Sequence, residues 1–125
     1  MSKSIIIADD DPVVRHILQA ILQQKNYIVS CFENGSDTIE GLKSAAQNNA
    51  LPDILFLDFF LGDLTAKEIL ASLDSVLSDS DVKVVLLSAN TAKDLEALDS
   101  ENLTQYRLEK PFTPDSVNEL INSLS

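Results

Sequence analysis

Four segments of this chain run up to groups that can do chemistry and stop there. Asp9-Asp10-Asp11 follows Ser4 to Ala8, and Asp58 follows Ile54 to Leu57. Ser88 follows Val82 to Leu87, and Lys110-Pro111 follows Thr104 to Glu109. An ionised carboxylate at the end of an apolar run is costly to enclose unless it is paired or meets water. Acids from two neighbouring segments repel each other unless a cation joins them. All-oxygen ligands of this kind suit a hard divalent ion, Mg²⁺ (or Mn²⁺), that keeps several waters. A carboxylate beside such an ion can attack phosphorus and carry an acyl phosphate. The charge on the phosphoryl oxygens must then be met from more than one side. The Lys110 ammonium and the Ser88 hydroxyl supply two of those sides. Taken singly, Asp11 reads as a helix cap, and a lone Asp or Ser at a strand end is ordinarily just solvated. Together they read as one site.

The elements that must position these groups are legible as alternating apolar runs and helical stripes. Leu51-Pro52-Asp53-Ile54-Leu55-Phe56-Leu57-Asp58-Phe59-Phe60 opens on Pro-Asp and is then almost wholly apolar, as in a strand buried on both faces of a parallel sheet. Ser4 to Ala8, Tyr27 to Phe32, Val82 to Leu87 and Thr104 to Glu109 read as the other strands. Asp11 caps a first helix with Pro12 at its first position and Val14, Ile17, Leu18, Ile21 and Leu22 as its apolar stripe. Asn34-Gly35 turns into a second helix carrying Ile39 and Leu42. Thr65-Ala66-Lys67-Glu68 fits a capping box for a third helix that buries Ile69, Leu70 and Leu73. A fourth, short helix is expected from Thr91, with only Leu95 and Leu98 to bury. Thr113-Pro114 opens a last one, with Val117, Leu120, Ile121 and Leu124 at helical spacing. This pattern predicts one doubly wound α/β domain over residues 1–125, flavodoxin-like, with strand order 2-1-3-4-5. In such a sheet ligands bind at the carboxyl ends of the strands, where all four polar groups stand.

Composition narrows the partners. The net charge of −11, from 20 acidic and nine basic residues, argues against direct nucleic-acid binding, which needs cations at the phosphates. The apolar stretches are too short for a membrane span, and no signal peptide is readable at the start. A single cysteine, Cys31, excludes an internal disulfide and suits a reducing cytoplasm; it reads as a small buried hydrophobe. His16, the one histidine, reads as a solvated helix residue.

The ordered set Asp9-Asp10, Pro52 through Asp58, Leu87-Ser88-Ala89 and Lys110-Pro111-Phe112, with Asn34-Gly35 and Arg15 in support, resembles the receiver domain of bacterial response regulators over the whole chain. The resemblance implies that Asp58 is the phosphoacceptor, charged by a sensor histidine kinase or a histidine phosphotransfer protein. It implies that Asp10, Asp58 and the main-chain carbonyl of Phe60 hold Mg²⁺, with Asp9 assisting through water. Ser88 and Lys110 would grip the phosphoryl group. The face made by the fourth helix, the fifth strand and the last helix would then change its preference for a downstream protein effector. No output module follows within these residues, so the output is expected from a partner or a longer chain.

Some positions depart from the family pattern. An aromatic residue usually lies three positions before the lysine and turns inward on activation; here that position is Arg107, and Tyr106 falls on the opposite strand face. With Ala89 these form the expected switch region, and the usual aromatic coupling is expected to be weakened or replaced. Gly62 stands where proline is usual and Ala66 where glycine is usual, so the loop after Asp58 should have altered geometry. Phe60 is bulky enough to screen an acyl phosphate from water, or simply packs on that loop. Two competing readings remain: a receiver-like docking module that no longer switches through phosphate, and a small Mg²⁺-dependent aspartyl phosphatase. The second lacks the aspartate such enzymes need two residues after the nucleophile, where Phe60 stands.

Overall fold

A computed structural model describes residues 3–78, 80–88, 106–110 and 112–124. Within them the strands are β1 (Ser4–Ala8), β2 (Ile28–Phe32), β3 (Ile54–Asp58), β4 (Lys83–Ser88) and β5 (Tyr106–Glu109). The helices are α1 (Pro12–Gln23), α2 (Gly35–Gln47), α3 (Ala66–Ser72), a single turn α4 (Asp74–Leu77), and α5 (Pro114–Leu124). The strands pair in parallel in the order β2-β1-β3-β4-β5, the flavodoxin-like order expected. The expected helix from Thr91, Ala89, Pro111, and residues 104–105 of the expected fifth strand lie outside the described residues.

Side chains alternate across a strand, so a sheet covered on both faces must be apolar at every position. Ile5, Ile7, Ile54, Phe56, Val85, Leu87 and Leu108 face one side and pack on Leu18 and Leu22 of α1 and Val117 and Ile121 of α5. Ile6, Ala8, Leu55, Leu57 and Leu86 face the other and pack on Leu42 of α2 and on Ala66, Ile69 and Leu73 around α3. Each fully buried Val, Leu, Ile or Phe side chain among them contributes roughly 1.5–3 kcal/mol.

The caps that end the loops are in place. Asp11 Oδ1 accepts the Val13 N–H at 2.9 Å, with Pro12 at the first position of α1. Thr65 and Glu68 form the reciprocal capping box of α3, and Thr113 Oγ1 accepts the Ser116 N–H at 3.1 Å ahead of α5.

Three local expectations need correction. β2 starts at Ile28, one residue late, because the Tyr27 N–H still closes the end of α1 on the Leu22 carbonyl. β4 starts at Lys83, because the Val82 N–H turns back to Ser80 Oγ. Ile17 lies on the predicted apolar stripe of α1 yet is 44 % exposed. The face that meets the sheet is narrower than the stripe.

Candidate functional site

Register brings the four polar strand ends level. Ala8 pairs with Leu57, which sets Asp9 beside Asp58; Asp58 pairs with Leu87, and Ser88 pairs with Glu109, the residue before Lys110. Asp58 and Ser88 are the last residues of β3 and β4, and Asp9 and Lys110 follow directly on β1 and β5. The parallel ladder thus converts four separated sequence positions into one rim.

Asp9 is fully buried, Asp58 is mostly buried and Asp10 is exposed, and one carboxylate oxygen of each lies within 4.8 Å of the others. The Lys110 ammonium sits between two of them, 2.9 Å from Asp9 Oδ2 and 3.2 Å from Asp58 Oδ1. Its main chain is fixed by the Lys110 N–H donating to the Ser88 carbonyl at 2.6 Å. Asp58 Oδ1 also accepts the Phe59 N–H at 2.8 Å. Asp9 is held from both ends: its Oδ1 accepts the Asp11 N–H at 2.9 Å, and its carbonyl accepts Arg15 Nη1 at 2.7 Å. Ser88 is fully buried at the next strand end.

Three carboxylates and one ammonium leave the cluster two negative charges in excess when all are ionised. Asp58 carries the consequence. Burial first, and then the neighbouring Asp9 charge, push its carboxyl up to about 7, against the pull of Lys110 and the Phe59 N–H. Lys110 is driven the opposite way from what burial alone would do. Burial lowers an ammonium, but the close pairing with Asp9 and the charges of Asp58 and Asp9 outweigh it and raise Lys110.

A divalent cation would balance this excess. Asp9 Oδ2 is buried and, beyond its ion pair, receives no aligned hydrogen bond among the described residues. Asp9, Asp10 and Asp58 offer only hard oxygen donors, and the Phe60 carbonyl lies two residues along the chain from Asp58. The donor set fits Mg²⁺.

The other expected residues are placed as follows. The Phe60 ring is 56 % exposed, and its backbone bridges to Thr65. Tyr106 is half-buried against the cluster that contains Leu108 and Val117, while Arg107 is exposed and lies 4.0 Å from Glu109. The period-two reading of these two positions holds. Gly62 has φ +85°, a value a proline ring cannot reach, so the loop takes a path closed to the usual residue. His16 is exposed on α1. Cys31 is only half-buried, and burial raises its thiol, with Arg15 opposing. The role of Arg15 in holding the Asp9 carbonyl had no local signal beyond its spacing from the acids.

The chain has relatives. It is 25 % identical to the sensory transduction protein LytT of Oceanobacillus iheyensis, over 99 % of this chain and 48 % of that one. It is likewise 25 % identical to the DNA-binding response regulator MtrA of Mycolicibacterium smegmatis, over 91 % of this chain and 46 % of that protein. The chain thus spans about half the length of the curated relatives it matches. A solved CheY-like receiver domain from Methylobacillus flagellatus superposes with TM-score 0.83 over 100 % of both chains at 18 % identity, which speaks for the fold. Residues 5–122 match the family model described as the response regulator receiver domain, and with the strand order and the acid rim already in hand, the chain belongs to that family.

Proposed function

We propose that this receiver domain is a phosphorylation-activated switch that takes a phosphoryl group onto Asp58 from a sensor histidine kinase or a histidine phosphotransfer protein. The observation that carries the reading is the Lys110 ammonium standing 2.9 Å from Asp9 and 3.2 Å from Asp58 at the mouth of an acid cluster. A structural ion pair alone would need one acid, whereas here three acids share one ammonium, an excess suited to a divalent cation that would join Lys110 in meeting a phosphoryl group.

In this reading an Asp58 carboxylate oxygen forms a bond to phosphorus as the bond from phosphorus to the donor imidazole nitrogen breaks. The nitrogen keeps the electron pair. Lys110 and Ser88 meet the phosphoryl oxygens. Asp10, Asp58 and the Phe60 carbonyl would hold Mg²⁺ (or Mn²⁺), with Asp9 assisting through water, and the bound ion would supply positive charge to the phosphoryl group. Exposed Val13 (62 %) and Ile17 (44 %), with Phe60, give the rim apolar ground that a protein donor would cover. The domain acts as a signalling module and catalyses only its own phosphorylation and dephosphorylation. Among the described residues no helix is long and apolar enough to cross a membrane.

The output surface is the face that includes β5 and α5, where a downstream protein effector would bind. Exposed Arg107, with Tyr106 packed on the other side of the strand, supports a switch in which burial of an aromatic ring at position 107 plays no part. Incubation with a small acyl phosphate donor, with and without Mg²⁺, followed by intact mass, tests the reading. One added phosphoryl group on wild type, dependent on Mg²⁺ and absent from Asp58→Asn, is expected. Equal labelling of both proteins would overturn it, and no labelling despite bound metal would favour the docking-module reading.

A further inference from the structure

The loop between β3 and α3 is tied to α2 by a side chain that lies outside the acid cluster. Asp63 Oδ1 accepts the Gly35 N–H at 2.7 Å, and Asp63 Oδ2 accepts the Ser36 N–H at 3.0 Å. These belong to the N–H groups at a helix start that have no partner within the helix. The side-chain oxygen of the cap of α2 itself, Asn34, accepts the Asp37 N–H and leaves those of Gly35 and Ser36 to Asp63. The contact is close because residue 35 lacks a side chain: a Cβ there would stand 2.7 Å from Leu64 Cβ. The two bonds, Gly35 first, hold the Asp63 carboxyl below the usual carboxylate range.

The same loop is closed on itself. The Leu61 N–H donates to the Leu64 carbonyl at 3.0 Å, and the Ala66 N–H donates to the Phe59 carbonyl at 2.9 Å. Its tip, Gly62, lies on the Asp10 side of the cluster, where an added Cβ would come 3.9 Å from Asp10 Oδ2. Phe60 therefore sits in a small rigid piece with Asp10 beside its tip and α2 holding its far side.

We propose that Asp63 is a positioning residue: by latching the 59–65 loop onto the first turn of α2, it fixes the Phe60 carbonyl beside Asp10 in the geometry Mg²⁺ requires. This rests on the metal reading given under the proposed function. Mg²⁺ demands near-ideal octahedral placement, so a loosened ligand is felt as lost affinity. Removing an outer support of this kind weakens metal binding by about tenfold or more.

Calorimetric Mg²⁺ titration of the whole chain provides the test, with amide hydrogen exchange on the same samples. Asp63→Ala is expected to weaken Mg²⁺ by about tenfold and to speed exchange at Gly35 and Ser36. Asp37→Asn, which removes a charge from the same turn of α2 without touching the loop, should keep wild-type affinity. Wild-type affinity in Asp63→Ala, or unaltered exchange at those two amides, would overturn the latch. So would an equal loss in Asp37→Asn, which would make the effect one of charge alone. A wild-type protein that binds no Mg²⁺ would overturn the metal reading and the latch together.

Discussion

Replacing Asp58 by asparagine should make the metal-free protein more stable, and the gain should grow with pH. The Asp58 carboxyl is pushed from 3.8 up to about 7, first by burial and then by Asp9. The folded chain thus holds this proton more tightly than the unfolded chain does. Between about pH 4 and pH 7 the folded state binds more protons, so stability falls as pH rises through that window and stays low above it. A shift of about three units corresponds to at most about 4 kcal/mol at about 1.4 kcal/mol per unit. Roughly 2.5 kcal/mol of that ceiling falls between pH 5 and pH 8. Partial solvent screening, and a proton shared with Asp9 and Lys110, reduce the expectation to about 1–2 kcal/mol. Asparagine carries no charge at any of these pH values, and Lys110 keeps its pairing with Asp9. Urea unfolding followed by circular dichroism, with chelator present, reads the difference at the two pH values. A variant whose advantage over wild type is the same at pH 5 and pH 8, or which is less stable at pH 8, would refute the reasoning that the acid cluster is strained without a cation.

Other outcomes follow from the same geometry. At pH 8, saturating Mg²⁺ at about 100 times its Kd should stabilise wild type by about 2.7 kcal/mol, and should do much less for Asp58→Asn; equal stabilisation in both would place the ion elsewhere. Phe60→Ala should leave stability within about 0.5 kcal/mol because the ring is more than half exposed. It should also shorten the life of the phosphorylated form, and an unchanged hydrolysis rate would remove any shielding role for the ring. Gly62→Pro should cost more than about 1 kcal/mol in urea unfolding, since φ +85° at this position is out of reach of the ring; a neutral effect would show that the loop can take the usual family path.

Most of the sheet was legible because burial on both faces leaves a mark that local reading can find. Leu55, Phe56 and Leu57 are consecutive and all fully buried, facing opposite cores. The strand ends were legible for the complementary reason: Asp9, Asp58 and Ser88 break apolar runs at places where a parallel ladder must align them. Contacts between distant segments were harder. Nothing local marks Asp63 as the partner of Gly35 and Ser36, 28 and 27 residues away. The turn Asp74–Leu77 is too short to show a period, and it follows Leu73, a core residue read as part of α3. Ile17 shows the limit of stripe reading: its spacing is right, but the sheet meets α1 chiefly through Leu18 and Leu22.

The central claim is that Asp58 itself becomes the acyl phosphate. Phosphorylating the protein in Mg²⁺, reducing it with borohydride and mapping the peptides would convert the modified aspartate to homoserine and so mark its position. Homoserine at position 58, and at no other aspartate, is the predicted result. Homoserine at Asp9 or Asp10, or a stable phosphoserine at Ser88 in its place, would contradict it.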